Sequence, residues 1–130
     1  MQEETLDSLI DAATEASRNS YSPYSNFPVG AAVLTDSGRI YSGTNIENAS
    51  YGATVCAERV AIFKAVSDGE TKISALAVYT TAANIAFPCG MCLQVMSEFC
   101  EDIPVILASD AVVRVYQLSE LMPHRFGDPS

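Results

Sequence analysis

The sequence predicts an α/β protein, a three-layer α/β/α sandwich on a five-stranded mixed sheet. Two observations carry that expectation. Five short apolar, β-leaning runs alternate with segments of helical spacing along 130 residues. Their order, helix, strand, strand, helix, strand, helix, strand, strand, joins a hairpin to a strand, helix, strand unit and suits a mixed sheet covered on both faces.

Leu6, Leu9, Ile10, Ala13 and Ala16 recur at helical spacing, so a first helix is expected over about 3–18, ending before the turn formers of RNSYSPYSNFP. VGAAVLT and RIYSGTN flank Asp36, Ser37 and Gly38, a polar turn that closes an antiparallel hairpin. From Cys56 to Val66, the apolar positions Val60, Ala61, Phe63, the Lys64 stem and Val66 suit a buried second helix that ends near Asp68 and Gly69. ALAVYT is the third strand, and the loop AANIAFP leads to a helix over 90–99 carrying Met91, Val95, Met96 and Phe99. PVILAS and VVRVYQL complete the sheet, and SELM adds a last helical turn. With no repeat or linker in view, residues 1–130 are expected to form one domain.

Seven basic against sixteen acidic side chains give a formal charge of -9, a field that repels polyanions, and no basic patch interrupts it. Nucleic acid is therefore not an expected partner. The opening MQEETLDSLIDAATEAS has no basic stretch followed by an apolar run, and no long apolar segment occurs elsewhere, so neither secretion nor membrane spanning is expected. A cytoplasmic setting keeps the four cysteines reduced and directs attention to metal or catalytic chemistry.

Cys56 opens the second helix, and Cys89 and Cys92 lie in PCGMC, where the two intervening residues let both thiolates face one ion. Together they make three ligands for zinc. Cys100 lies eight residues past Cys92, about 12 Å further along a helix, out of reach of the same ion. The only histidine, His124, sits near the tail, and an open zinc site needs only three protein ligands. Such a site keeps a position for water, and Glu58, two residues beyond a ligand, is placed to carry protons in the same cavity. Three thiolates around Zn²⁺ leave a net charge of -1; two helix N-termini and Arg59, beside the ligand turn, are the groups expected to offset it.

CAER followed by PCGMC resembles the zinc-dependent nucleoside deaminases, specifically the small homotetrameric cytidine deaminases. YSPYSNFPVGAAV is similar to that family's N-terminal pocket segment, and GTNIENASYG to its ribose-binding segment. The resemblance implies one zinc per subunit and hydrolytic deamination of cytidine and 2′-deoxycytidine to uridine and 2′-deoxyuridine, in cytoplasmic pyrimidine salvage. By the same resemblance Phe27 lines the pyrimidine and sugar pocket, Asn45 and Glu47 bond the ribose hydroxyls, and backbone groups near Ala57 read the pyrimidine edge. Tyr51 and Phe126 match the positions through which neighbouring subunits complete each site. Glu58 would pass one proton from the attacking water to N3 of the ring and another to the departing amino group.

Two positions depart from the family pattern. Leu93 follows Cys92 where the family usually has arginine, leaving Arg59 without a second cationic side chain beside the thiolates, and Phe87 replaces a small hydroxyl residue where the ring could reshape the pocket. A deaminase of a cytosine-containing antibiotic such as blasticidin S would share the zinc site, although NIEN favours an ordinary nucleoside. A polynucleotide deaminase would need backbone-tracking positive charge and stacking surfaces, whereas this chain is strongly acidic and has no tryptophan. A non-catalytic zinc-stabilised binding module would need a fourth ligand and leaves Glu58 without a purpose.

Overall fold

The computed structural model describes residues 1–127. α1 (Glu3–Ser17) leads into β1 (Val29–Thr35) and β2 (Ile40–Thr44); a single 3-10 turn, Tyr51–Ala53, precedes α2 (Ala57–Ser67). β3 (Ile73–Thr80), α3 (Gly90–Phe99), β4 (Pro104–Ala108), β5 (Val113–Gln117) and the short α4 (Leu118–Leu121) follow. The strands form one sheet in the order β2-β1-β3-β4-β5. β1 pairs antiparallel with β2 and β3, β4 pairs antiparallel with β5, and β3 and β4 run parallel because α3 crosses between them. The mixed five-stranded sheet is the predicted one.

Alternation along the strands divides the core in two. Ala31, Val33, Leu76, Val78, Val105 and Leu107 point to one face, where α2 and α3 cover them with Ala61, Ile62, Ala65, Cys92 and Met96. Ala32, Ala75, Ala77, Tyr79, Ile106 and Ala108 point to the other, beneath Leu9 and Ala13 of α1. Small residues let the helices sit close. A Cβ on Gly30 would fall 1.8 Å from the Ala13 carbonyl oxygen of α1, and one on Gly43 would fall 2.6 Å from the Ala61 nitrogen of α2.

Several expected details shift. Cys56 is the residue before α2, not its first turn, and β3 begins at Ile73, two residues ahead of ALAVYT. In α2 the buried positions are Ala57, Glu58, Ala61, Ile62 and Ala65; Phe63 is 46% exposed and Lys64 reaches the Ser42 carbonyl. In α3 Cys92 and Met96 are buried while Met91 is 59% exposed. The C-terminus of α2 ends as expected: Gly69, at φ 90°, lets its N–H bond the Val66 carbonyl and the Glu70 N–H bond Ala65.

Candidate metal centre and active site

Cys56 and Cys89 are both extended residues that immediately precede a helix, α2 and α3 respectively, and neither side chain caps its own helix. Their thiols are thus free to meet across the two helix starts. The Cys56 and Cys89 sulfurs lie 3.7 Å apart, Cys89 and Cys92 are 3.4 Å apart, and all three fall within 4.8 Å of one another. Zinc bound to thiolates at about 2.3 Å with tetrahedral angles places neighbouring sulfurs about 3.8 Å apart. The cluster therefore fits zinc in spacing and in donor chemistry. Among the described residues the cluster holds these three cysteines and includes neither Cys100 nor His124.

Cys56 and Cys89 place this cluster at two helix N-termini, whose partial positive charge favours thiolates. Arg59, in the first turn of α2, brings Nη2 to 3.7 Å from the Cys56 sulfur and 3.5 Å from the Thr54 carbonyl. Its Nε is buried with no partner among the described residues. Without metal, the facing Cys92 thiol, helped by Arg59 and Cys89, holds Cys56 down to about 5 against its burial, whereas Cys92, beside Cys56 and buried, is pushed up. Leu93 packs partly buried against the α2 and α3 core and contributes no second cation.

Glu58 occupies the second position of α2 and is 5% exposed. Burial, and then the charge of Cys56, pushes its carboxyl up to about 7, so near neutrality it can both release and accept a proton. Ala57 is fully buried at the first position of the same helix, which puts its backbone beside the cluster.

The residues that the sequence nominates for substrate contact are organised by hydrogen bonds within the chain. Asn45 is buried; its Oδ1 accepts from Ser20 Oγ and, at 3.1 Å, from the Val29 N–H, while its Nδ2 donates to the Phe27 carbonyl at 2.9 Å. Glu47 Oε1 accepts from the Tyr24 and Ser25 N–H groups at 2.9 and 3.1 Å, and its Oε2 accepts from the Ser25 hydroxyl. These donors, the Ser25 hydroxyl foremost, hold the Glu47 carboxyl below the usual carboxylate range. Phe27 is 39% exposed. Glu47 and Tyr51 line one cavity of about 330 Å³ with Tyr24, Ser25 and Thr54, and the Tyr24 and Tyr51 rings meet edge to face at 6.0 Å.

Phe126 is 86% exposed and lines a different cavity, with Gln94, Glu98 and Arg125, so a single chain does not bring it to the Glu47 side. Phe87 is 57% exposed and leans on Tyr116 of β5 at 5.5 Å. Ser25 and Thr54 are the neighbours that sequence reasoning missed: isolated hydroxyls in turn-rich segments carry no signal of their own.

Residues 3–108 match the family model described as the cytidine and deoxycytidylate deaminase zinc-binding region. The chain belongs to the cytidine and deoxycytidylate deaminase family. The matched span contains all three clustered cysteines and Glu58; Phe126 lies beyond it. A cytidine deaminase of Sporosarcina psychrophila is 45% identical to this deaminase chain over 123 residues, covering 93% of the chain and 90% of the relative. One of Halalkalibacterium halodurans is 46% identical over 120 residues, covering 91% of each. The crystal structure of a Burkholderia pseudomallei cytidine deaminase superposes with a TM-score of 0.88 at 41% identity, covering 97% of this chain and all of that one (100%).

Proposed function

We propose that the chain is a zinc-dependent hydrolase that converts cytidine and 2′-deoxycytidine, with water, to uridine and 2′-deoxyuridine with release of ammonia. The observation that carries this reading is the convergence of three cysteine sulfurs, from the starts of α2 and α3, beside the buried Glu58. Cytidine deaminase relatives at 45% and 46% identity over nearly the whole chain support it.

Cys56, Cys89 and Cys92 would hold one zinc per subunit, and zinc held by three protein ligands supplies Lewis acidity toward a water. Arg59 and the two helix N-termini offset the excess thiolate charge. Glu58 would take a proton from the attacking water and place it on N3 of the cytosine ring, making C4 electron-poor. It would then carry a second proton to the amino group, which leaves as ammonia while the water oxygen stays on C4. Burial of Glu58 suits both transfers.

Phe27 would line the base and sugar pocket and backbone groups near Ala57 would read the pyrimidine edge. Asn45 keeps one N–H, and Glu47 one lone pair, beyond the bonds they make within the chain, enough for a hydroxyl each. We further propose a homotetramer in which Tyr51 and Phe126 reach neighbouring sites; their exposures of 75% and 86% support contacts outside their own chain. Residues 1–130 would act as one domain, as the single sheet of the described residues supports. Among the described residues no helix is long and apolar enough to cross a membrane. A role in cytoplasmic pyrimidine salvage is supported by the substrate class and by four unpaired cysteines.

Ultraviolet absorbance of cytidine, deoxycytidine and blasticidin S, each incubated separately with the zinc-loaded protein, tests the assignment. Loss of the cytidine and deoxycytidine signals with release of ammonia is expected; turnover of blasticidin S alone would move the enzyme to the antibiotic substrate.

A further inference from the structure

We propose that Ser25 is a positioning residue for nucleoside binding, its one hydroxyl locking the Glu47 carboxylate to the backbone of Phe27. The proposal rests on the reading above, in which Phe27 and Glu47 face the nucleoside.

A serine hydroxyl has one hydrogen to give and two lone pairs to receive, and Ser25 uses both capacities at once. Its Oγ donates to Glu47 Oε2 and accepts the Phe27 N–H at 3.1 Å. The left-handed backbone of Asn26, at φ 56°, turns the chain so that the Phe27 N–H comes back to that hydroxyl. Asparagine is among the few side chains that adopt such a conformation readily. At the other end of the same residue, the Phe27 carbonyl accepts from Asn45 Nδ2 at 2.9 Å. Phe27 is thus held on both sides by groups tied to the segment that carries Asn45 and Glu47.

The lock also sets which part of Glu47 remains for a ligand. A carboxylate offers about four acceptor positions. The Tyr24 N–H and the Ser25 N–H converge on Oε1, and the Ser25 hydroxyl occupies one side of Oε2. The remaining lone pair of Oε2 belongs to a group that lines the cavity shared with Tyr51 and Thr54. The Thr54 carbonyl in turn accepts from Arg59, which reaches the Cys56 sulfur, so Thr54 and Arg59 link this cavity to the cysteine cluster. Without the Ser25 hydroxyl, the carboxylate can rotate about its terminal bond and the Phe27 backbone loses its N–H partner. Both losses weaken substrate and transition state alike, which raises KM and spares kcat.

The test compares Ser25→Ala, Ser25→Thr and Glu47→Gln on cytidine and on 2′,3′-dideoxycytidine, which lacks the 2′- and 3′-hydroxyls. Ser25→Ala is expected to raise KM for cytidine about tenfold with kcat within about twofold, and KM for the dideoxynucleoside about threefold or less. Ser25→Thr, which keeps the hydroxyl, stays near the parent protein. Because the decisive reading is a ratio of two KM values on one preparation, loss of some protein to misfolding leaves it unchanged. Equal KM rises on both nucleosides, or a fall in kcat at constant KM, would overturn the proposal. If Glu47→Gln leaves the cytidine KM unchanged, the substrate reading of Glu47 fails and takes the Ser25 role with it. If Glu47→Gln raises KM and Ser25→Ala does not, the Ser25 role alone fails.

Discussion

The Cys56 sulfur lies 3.7 Å from the Cys89 sulfur across 33 positions of sequence, because each cysteine is the residue immediately before its helix and both helices cover the same face of the sheet. The metal centre is therefore built by the packing of α2 and α3, and it needs all three sulfurs. Cys56→Ser, Cys89→Ser and Cys92→Ser are each expected to lose stoichiometric zinc. Each should also lose at least about 100-fold in turnover, since even groups that merely orient ligands cost up to that much. Cys100→Ser keeps both. Metal analysis of the four purified variants checks this, and full zinc in any of the first three contradicts it.

Cys100 offers a pH signature independent of the metal. Burial pushes its thiol up to about 12 in the folded chain, against an ordinary value of 9.0. The folded state thus keeps a proton that the unfolded state releases, so the stability associated with this thiol is complete below pH 9 and is lost as pH rises toward about 12. Cys100→Ala removes the group, so the gap in urea midpoint between parent and variant should narrow from pH 8 to pH 11. A gap that stays constant or widens would show that the thiol ionises at least as freely folded as unfolded.

Gly30 and Gly43 are points of close approach between the sheet and α1 and α2 respectively. Gly30→Ala drives a methyl 1.8 Å from the Ala13 carbonyl oxygen, which is backbone and cannot step aside. A loss of about 3 kcal/mol or more is expected, read by urea denaturation. Gly43→Ala presses instead on Ala61 and Val60 of α2, the helix that carries Glu58, so it should lower zinc affinity as well as stability. Gly52, with nothing within 4 Å of an added Cβ, is the control, and Gly52→Ala should shift stability by less than about 0.5 kcal/mol.

Arg59 is the cation beside the cluster, and Leu93 leaves it without a second one. Arg59→Gln should retain zinc yet turn over about tenfold more slowly, with Arg59→Lys recovering part of the loss. Unchanged turnover in Arg59→Gln would mean that the helix N-termini offset the thiolate charge by themselves.

The parts of this molecule that were legible in sequence are those whose chemistry is local. Five apolar runs and their turns announced the sheet, and the spacing of Cys56, Cys89 and Cys92 with Glu58 announced the metal centre, because ligand type and helix starts leave direct marks. The inward faces of α2 and α3 were misread at Phe63, Lys64 and Met91. Each helix is short and apolar on more than one side, so periodicity alone does not choose among faces; the sheet beneath selects Ile62 and Cys92. The web joining Ser20, Ser25, Asn45 and Glu47 was invisible for another reason. It spans 22 to 25 positions and depends on where a turn-rich loop folds back, which no local pattern encodes.

Zinc content and turnover measured together in Glu58→Gln test the central claim most directly. The amide keeps the shape of the buried side chain and the three sulfurs but cannot move protons, so zinc should stay near one per chain while cytidine turnover falls about 1000-fold or more. Near-parental turnover in the zinc-loaded variant would contradict the role of Glu58 and, with it, the mechanism built on this site.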